Sequence, residues 1–199
     1  MEKVNYQQRL DGLTASLEGK PTLLLHSCCG PCSSYVIEYL SQYFQITVYF
    51  YNPNIYPQEE YIHRLETQRQ LIDSLGGAVL VAGDYNPDRF YKAVKGNEDG
   101  AEGGARCELC IGERLCSTAQ KAKEGGFEYF ATTLTVSPHK NAQSINRMGY
   151  DLQEQYGVKW LPSDFKKKEG YKRSIQLSAE YGLYRQDYCG CEFSLKNKK

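Results

Sequence analysis

The sequence contains no apolar run long enough to cross a bilayer. Its longest, such as Pro21–Leu25 and Ala78–Ala82, fall far short of the roughly 20 residues a spanning helix requires, so no membrane partner is expected. The opening residues, MEKVNYQQRLDGL, lack the basic start and apolar stretch of a secretory leader, which points to the cytoplasm. Net charge is missing too: 24 lysines and arginines balance 24 aspartates and glutamates. Any nucleic-acid surface must then come from uneven distribution of charge, not from overall basicity. No segment recurs with a period of roughly 20–50 residues, which excludes a solenoid. Cysteine is the residue that is not scarce, at eight in 199 residues. Where thiols stay reduced these are not disulfide staples, and metal or redox chemistry is the favoured explanation. With 41% apolar residues the chain can build its core without them.

Hydrophobic periodicity divides the chain into alternating strands and helices. Val4, Leu10, Leu13 and Leu17 recur at helical spacing over residues 4–18. Short apolar runs at 21–26, 46–51, 78–82 and 127–132 read as strands, with a further short one at 158–161. Helices are expected over about 31–43, where Pro31 suits the first position, and over about 58–75, stopped by Gly76–Gly77. Others fit about 87–94, 108–124 and 141–156, with one more and then an irregular tail at the end. The glycine-rich, acidic segment 96–105 reads as a mobile surface loop. Such alternation predicts an α/β fold, a three-layer parallel sheet in a single domain over residues 1–199. Residues 160–199 form a basic C-terminal extension carrying the final Cys-x-Cys. In sheets of this kind ligands bind beyond the carboxyl ends of the strands, and the first cysteines follow the first strand.

Seven cysteines fall into three groups: Cys28-Cys29-x-x-Cys32, Cys107-x-x-Cys110 and Cys189-x-Cys191. A CxxC pair opening a helix can present two thiolates to one metal, and the helix N-terminus lowers thiol pKa values. Two such groups would satisfy a tetrahedral zinc, which makes a structural zinc site the competing reading. Seven thiols exceed what one zinc uses, and adjacent Cys28 and Cys29 suit two neighbouring metal centres better than one. Iron–sulfur clusters are normally held by four cysteines, which leaves three for something beside the cluster. Cys116 falls on the opposite helix face from Cys107 and reads as a buried small hydrophobe.

The segments LLHSCCGPCS (24–33), FYNPNIYPQEEYIHR (50–64), RCELCIGERL (106–115), TTLTVSPHK (132–140) and YRQDYCGCEFS (184–194) together resemble the QueH family of epoxyqueuosine reductases. The resemblance implies a fold of HUP (adenine-nucleotide hydrolase-like, Rossmann-like) type. It implies removal of the epoxide oxygen from epoxyqueuosine in the tRNA anticodon loop, giving queuosine without cobalamin. It further implies a 4Fe–4S cluster with an adjacent mononuclear iron, reloaded by an external electron donor. Mapped by motif, Cys107 and Cys110 are the firmest cluster ligands. One cysteine each from Cys28/Cys29 and Cys189/Cys191 would complete the four, with Cys28 and Cys189 assigned to the cluster and Cys29 and Cys191 to the iron. Cys32 or Asp187 could finish the iron's shell. The sequence has SCCG where ATP-using relatives of this fold carry an SGGxDS loop, so no ATP dependence is expected.

Epoxide deoxygenation needs protons, and Asp187, Tyr188 and His139 are candidate donors because they lie in or beside these segments. His139 reads equally well as a capping residue in a turn. Asn52, Asn54, Tyr61 and Arg64 are expected to hydrogen-bond the substrate's diol or a phosphate, although NPN also makes a turn unaided. Thr132 and Thr133 should face the same crevice, and Lys140 and Arg185 could meet phosphate. Lys166–Lys168, Lys172–Arg173 and the terminal KNKK (196–199), with Tyr171, Tyr181 and Tyr184 interleaved, could hold an RNA stem-loop, although lysine runs are more often a solvated face. The alternative from a different class is a zinc-stabilised RNA-binding protein without catalysis.

Overall fold

In a computed structural model that describes residues 4–196, five parallel strands stand in the order β3-β2-β1-β4-β5. They are β1 (Thr22–Ser27), β2 (Gln45–Phe50), β3 (Ala78–Ala82), β4 (Tyr129–Thr132) and β5 (Lys159–Trp160). Between and around them run α1 (Tyr6–Ala15), α2 (Gly30–Leu40), α3 (Gln58–Leu75), α4 (Pro87–Val94), α5 (Ala105–Glu124), α6 (Ala142–Tyr156), α7 (Gly170–Glu180) and α8 (Glu192–Lys196). The expected three-layer α/β fold with a parallel, Rossmann-like sheet is thus observed. Lys198 and Lys199 of the basic KNKK end lie outside the described residues.

β1 is the central strand, and its leucines alternate between the two faces as strand geometry requires. Leu23 and Leu25 enter one core with Val36, Ile37 and Leu40 of α2 and Leu71 of α3. Leu24 enters the other with Ile111, Leu115 and Ala119 of α5 and Ile145 of α6. Both faces are covered, which is why this strand reads as a continuous apolar run.

The strand order reverses at β1, so the crevice beyond the carboxyl ends of β1 and β4 is the topological switch point where such folds bind ligands. The tight passage from β1 into α2 depends on Gly30. A Cβ there would lie 2.9 Å from Thr67 Cγ2 of α3. Cys29 occupies the cap position in extended conformation and makes no side-chain capping bond, which leaves its thiol available.

Three local expectations change. The helix predicted from about 108 begins at Ala105 and so includes Cys107 in its first turn. Thr133 does not end the fourth strand but opens a 3-10 turn, Thr133–Val136, which Thr132 caps through its hydroxyl. Within the tail read as irregular, Glu192–Lys196 is helical. Ser194 donates its backbone N–H to Cys191 Sγ at 3.4 Å, and Lys196 pairs with Glu192 at 2.6 Å one turn apart.

Candidate active site

Cys28, Cys29 and Cys32 form one compact group whose sulfur atoms all lie within 4.8 Å of one another. Three thiols so close cannot all ionise. Cys29 is held well below the usual thiol range, chiefly by hydrogen bonds from Cys28 and then Cys32, while Cys32 is pushed well above it by the same contacts. Gln186 Nε2 also donates to Cys29 Sγ at 2.9 Å. Three converging sulfurs of this kind could hold a metal ion.

Cys107, Cys110, Cys189 and Cys191 line a second, smaller chamber with Asn54 and Arg106. No three of their sulfurs fall within the same 4.8 Å limit. One tetrahedral zinc, with Zn–S near 2.3 Å, would need sulfurs about 3.8 Å apart. This spacing instead fits a larger thiolate-held group. Arg106, 3% exposed, points its Nε and Nη2 into this region without a hydrogen-bond partner. Inorganic sulfides would give those donors acceptors, which zinc would not, so the residues present fit an iron–sulfur cluster. The grouping therefore divides the cysteines by sequence segment, three and four. The expected assignment gives Cys28 and Cys189 to the cluster and Cys29 and Cys191 to the iron; the sulfurs of Cys28, Cys29 and Cys32 form one compact group.

The Cys189–Cys191 loop is anchored from α3. Arg64, 1% exposed, donates from Nη1 to the Cys189 carbonyl at 3.1 Å and from Nη2 to the Tyr188 carbonyl at 3.3 Å. Its Nε pairs with Glu60 at 2.7 Å. Gly190 sits at φ 128°, and a Cβ there would stand 3.0 Å from the Arg64 guanidinium, so only glycine allows this approach. On the far side Lys140 Nζ reaches Cys189 Sγ at 3.2 Å.

A cavity of about 600 Å³ opens over both groups, lined by Cys28, Cys32 and Cys189 and by Arg114, Lys140 and Arg185. His139, Asp187 and Tyr188, the expected proton donors, are also on its wall. Burial pushes the Tyr188 phenol up to about 12, so it stays protonated. Of the residues expected to bind substrate, Lys140 and Arg185 face this cavity and Asn54 faces the smaller chamber. The others have tasks in the scaffold. Asn52 is fully buried and donates to the Ser27 carbonyl, Tyr61 stacks on Tyr85, and Arg64 holds the loop as described. Thr132 bonds His26 Nδ1 at 2.9 Å, and Thr133 is buried beside it. The basic run is largely neutralised within the chain: Lys166 pairs with Asp164, Lys168 with Asp11, Lys172 with Glu169 and Arg173 with Glu38. Tyr171, 38% exposed, remains at the cavity rim.

Sequence reasoning passed over Arg106, Arg114 and Gln186. Arg114 had a readable signal: it follows Cys107 and Cys110 at i+7 and i+4, on the same face of α5.

Fold and site together define a parallel α/β protein with a cysteine cluster able to hold metal at its switch point. A family model described as "Epoxyqueuosine reductase QueH" matches residues 23–197. Proteins named epoxyqueuosine reductase QueH from Streptococcus pyogenes serotype M1 and Staphylococcus epidermidis are 46% and 44% identical to this chain. The alignments cover 98% and 97% of this chain and 80% and 85% of those proteins. The chain belongs to the epoxyqueuosine reductase QueH family. Among solved structures, a predicted tRNA methyltransferase subunit from Methanocaldococcus jannaschii covers 79% of this chain and 76% of its own, at 13% identity and TM-score 0.47. That likeness is too distant to bear on function. No described helix is long and apolar enough to cross a membrane.

Proposed function

We propose that this protein is a cytoplasmic epoxyqueuosine reductase that converts epoxyqueuosine in the anticodon loop of tRNA to queuosine. The observation that carries the reading is that six of the seven motif cysteines line two adjoining spaces, Cys28, Cys32 and Cys189 the large cavity and Cys107, Cys110, Cys189 and Cys191 the smaller chamber, in a chain of this family. Overall, the epoxide takes up two electrons and two protons, both C–O bonds to its oxygen break, an alkene forms and water leaves. Cys107, Cys110, Cys189 and Cys191 would hold the 4Fe–4S cluster, and Cys28, Cys29 and Cys32 the adjacent iron. When bound, these supply electrons one at a time and an electrophilic position for oxygen.

The protein's own residues supply the rest. The N–H of Gln186 reaches Cys29 Sγ and the ammonium of Lys140 reaches Cys189 Sγ, which orients both sulfurs as metal ligands. Arg64 fixes the loop so that Cys189 faces the cavity. Lys140 and Arg185 meet phosphate at the cavity wall, with Tyr171 at the rim against an RNA base. His139 and Asp187, both exposed on the cavity wall, can exchange protons with solvent, while the half-buried Tyr188 is the third donor. An external donor reloads the electrons after each turnover.

The test is iron and acid-labile sulfide content on protein purified without oxygen, followed by nucleoside analysis of epoxyqueuosine-containing tRNA after incubation with reduced enzyme. About four sulfides with more than four irons, and queuosine in the product, are expected. Stoichiometric zinc without sulfide would overturn the reading.

A further inference from the structure

The two thiol groups are not electrostatically separate. Arg114, in the middle of α5, is 3% exposed and lines both the large cavity and the smaller chamber. Its Nε donates to the Cys110 carbonyl at 3.2 Å, which fixes the guanidinium on the face of the helix that carries Cys107 and Cys110. Burial alone would discourage its charge, but the thiols of Cys110, Cys28 and Cys189 hold it charged, so its partners come from both groups. The same positive charge contributes, after burial, to holding His26 at about 4.

The other buried cations are placed differently. Lys140 also lines both spaces, but its Nζ is in direct contact with one thiol of the four-thiol group, Cys189 Sγ at 3.2 Å. Arg64 reaches the backbone of the Cys189 loop, at the Cys189 and Tyr188 carbonyls.

We infer that Arg114 is a shared counter-charge of this centre, a positioning residue that sets the reduction potentials of both metal groups together, whereas Lys140, in contact with Cys189, acts most strongly on the four-thiol group. The inference rests on the function proposed above. The physical reason is direct. Each electron that arrives adds negative charge to an already anionic thiolate site, and a buried cation stabilises the reduced form more than the oxidised one. A guanidinium suits the place because it does not lose its proton when electrons and protons move beside it.

The experiment is an EPR- and Mössbauer-monitored redox titration of anaerobic wild-type protein and the variants Arg114→Met, Arg114→Lys and Lys140→Met, each checked for iron, sulfide and thermal unfolding. In Arg114→Met both potentials should move to more negative values. In Arg114→Lys both should stay nearer wild type, and in Lys140→Met the cluster should move more than the iron. Unchanged potentials in iron- and sulfide-replete Arg114→Met, or movement of one centre only, would overturn the inference while leaving the proposed function intact. If Arg114→Met loses its metal, retention in Arg114→Lys supports the charge role, and loss in both variants overturns it in favour of a packing role. Zinc without sulfide in the wild type would overturn the proposed function and this inference with it.

Discussion

The two thiol groups are built in different ways. Cys28, Cys29 and Cys32 come from one strand end and the first turn of the helix that follows it, so their convergence is a local property of β1, Gly30 and α2. Cys107 and Cys110 come from α5, and Cys189 and Cys191 from a loop near the chain end, so the second group exists only when distant segments are brought together. The first group is placed by the sheet, whereas the second relies on side chains that act as clamps: Arg64 on the Cys189 and Tyr188 carbonyls and Lys140 on Cys189. A locally encoded site can be nearly as stable as the core beneath it. An assembled one is only as stable as its clamps.

Cysteine substitutions test this division most strongly. Cys110→Ala should abolish the sulfide content and reduce turnover by about a thousandfold or more, as expected when a unit acting together is broken. Cys29→Ala should cost as much activity while leaving about four sulfides per chain. If Cys29→Ala instead removes the sulfide, the three-and-four grouping is wrong and the groups share ligands.

Next in size is Arg64→Met. It strips the loop of its clamp and leaves Glu60, whose side chain is 12% exposed, without its cation. Breaking a buried pair this way costs about 3–5 kcal/mol, although the Tyr184 hydroxyl at 3.1 Å still gives Glu60 one donor. Denaturant unfolding should show the loss. Sulfide content should fall before the three-thiol iron does, because the clamp serves the assembled group. Equal loss of both would remove the distinction between local and assembled sites.

The same distinction explains what could be read from sequence. The β1–Cys-Cys–α2 unit was legible because an apolar run, two cysteines, glycine and proline dictate a strand, a turn and a helix in order. The sheet followed from repeated alternation. The inward side of a loop is not written locally, so Asn52, Tyr61 and Thr132, adjacent to motif residues, turned out to brace the scaffold. The basic run had the charge for an RNA surface, but its carboxylate partners Asp11 and Glu38 lie far away in sequence and meet it only in the fold. Arg106 and Arg114 were visible beside the cysteines, but their burial follows from the packing of α5, which no spacing states.

The smallest expected effect concerns His26, beneath the locally built group. It is fully buried, with Nδ1 on Thr132 at 2.9 Å and Nε2 on the Tyr51 carbonyl at 3.1 Å. Burial, and then the charge of Arg114, lower it from 6.5 to about 4. A base depressed in the folded state binds its proton in the unfolded chain first. Between about pH 6.5 and 4 the unfolded state therefore holds more protons, and stability falls as pH falls through that window. The full span is on the order of 3 kcal/mol. Denaturant unfolding of chelated, metal-free protein across this range should show the slope in wild type and a flatter curve for His26→Gln. The difference between the two curves isolates the histidine, since the cysteines are common to both. A matching slope in His26→Gln would mean that the imidazole is not held neutral, and that acid sensitivity at this end of the sheet belongs to other groups.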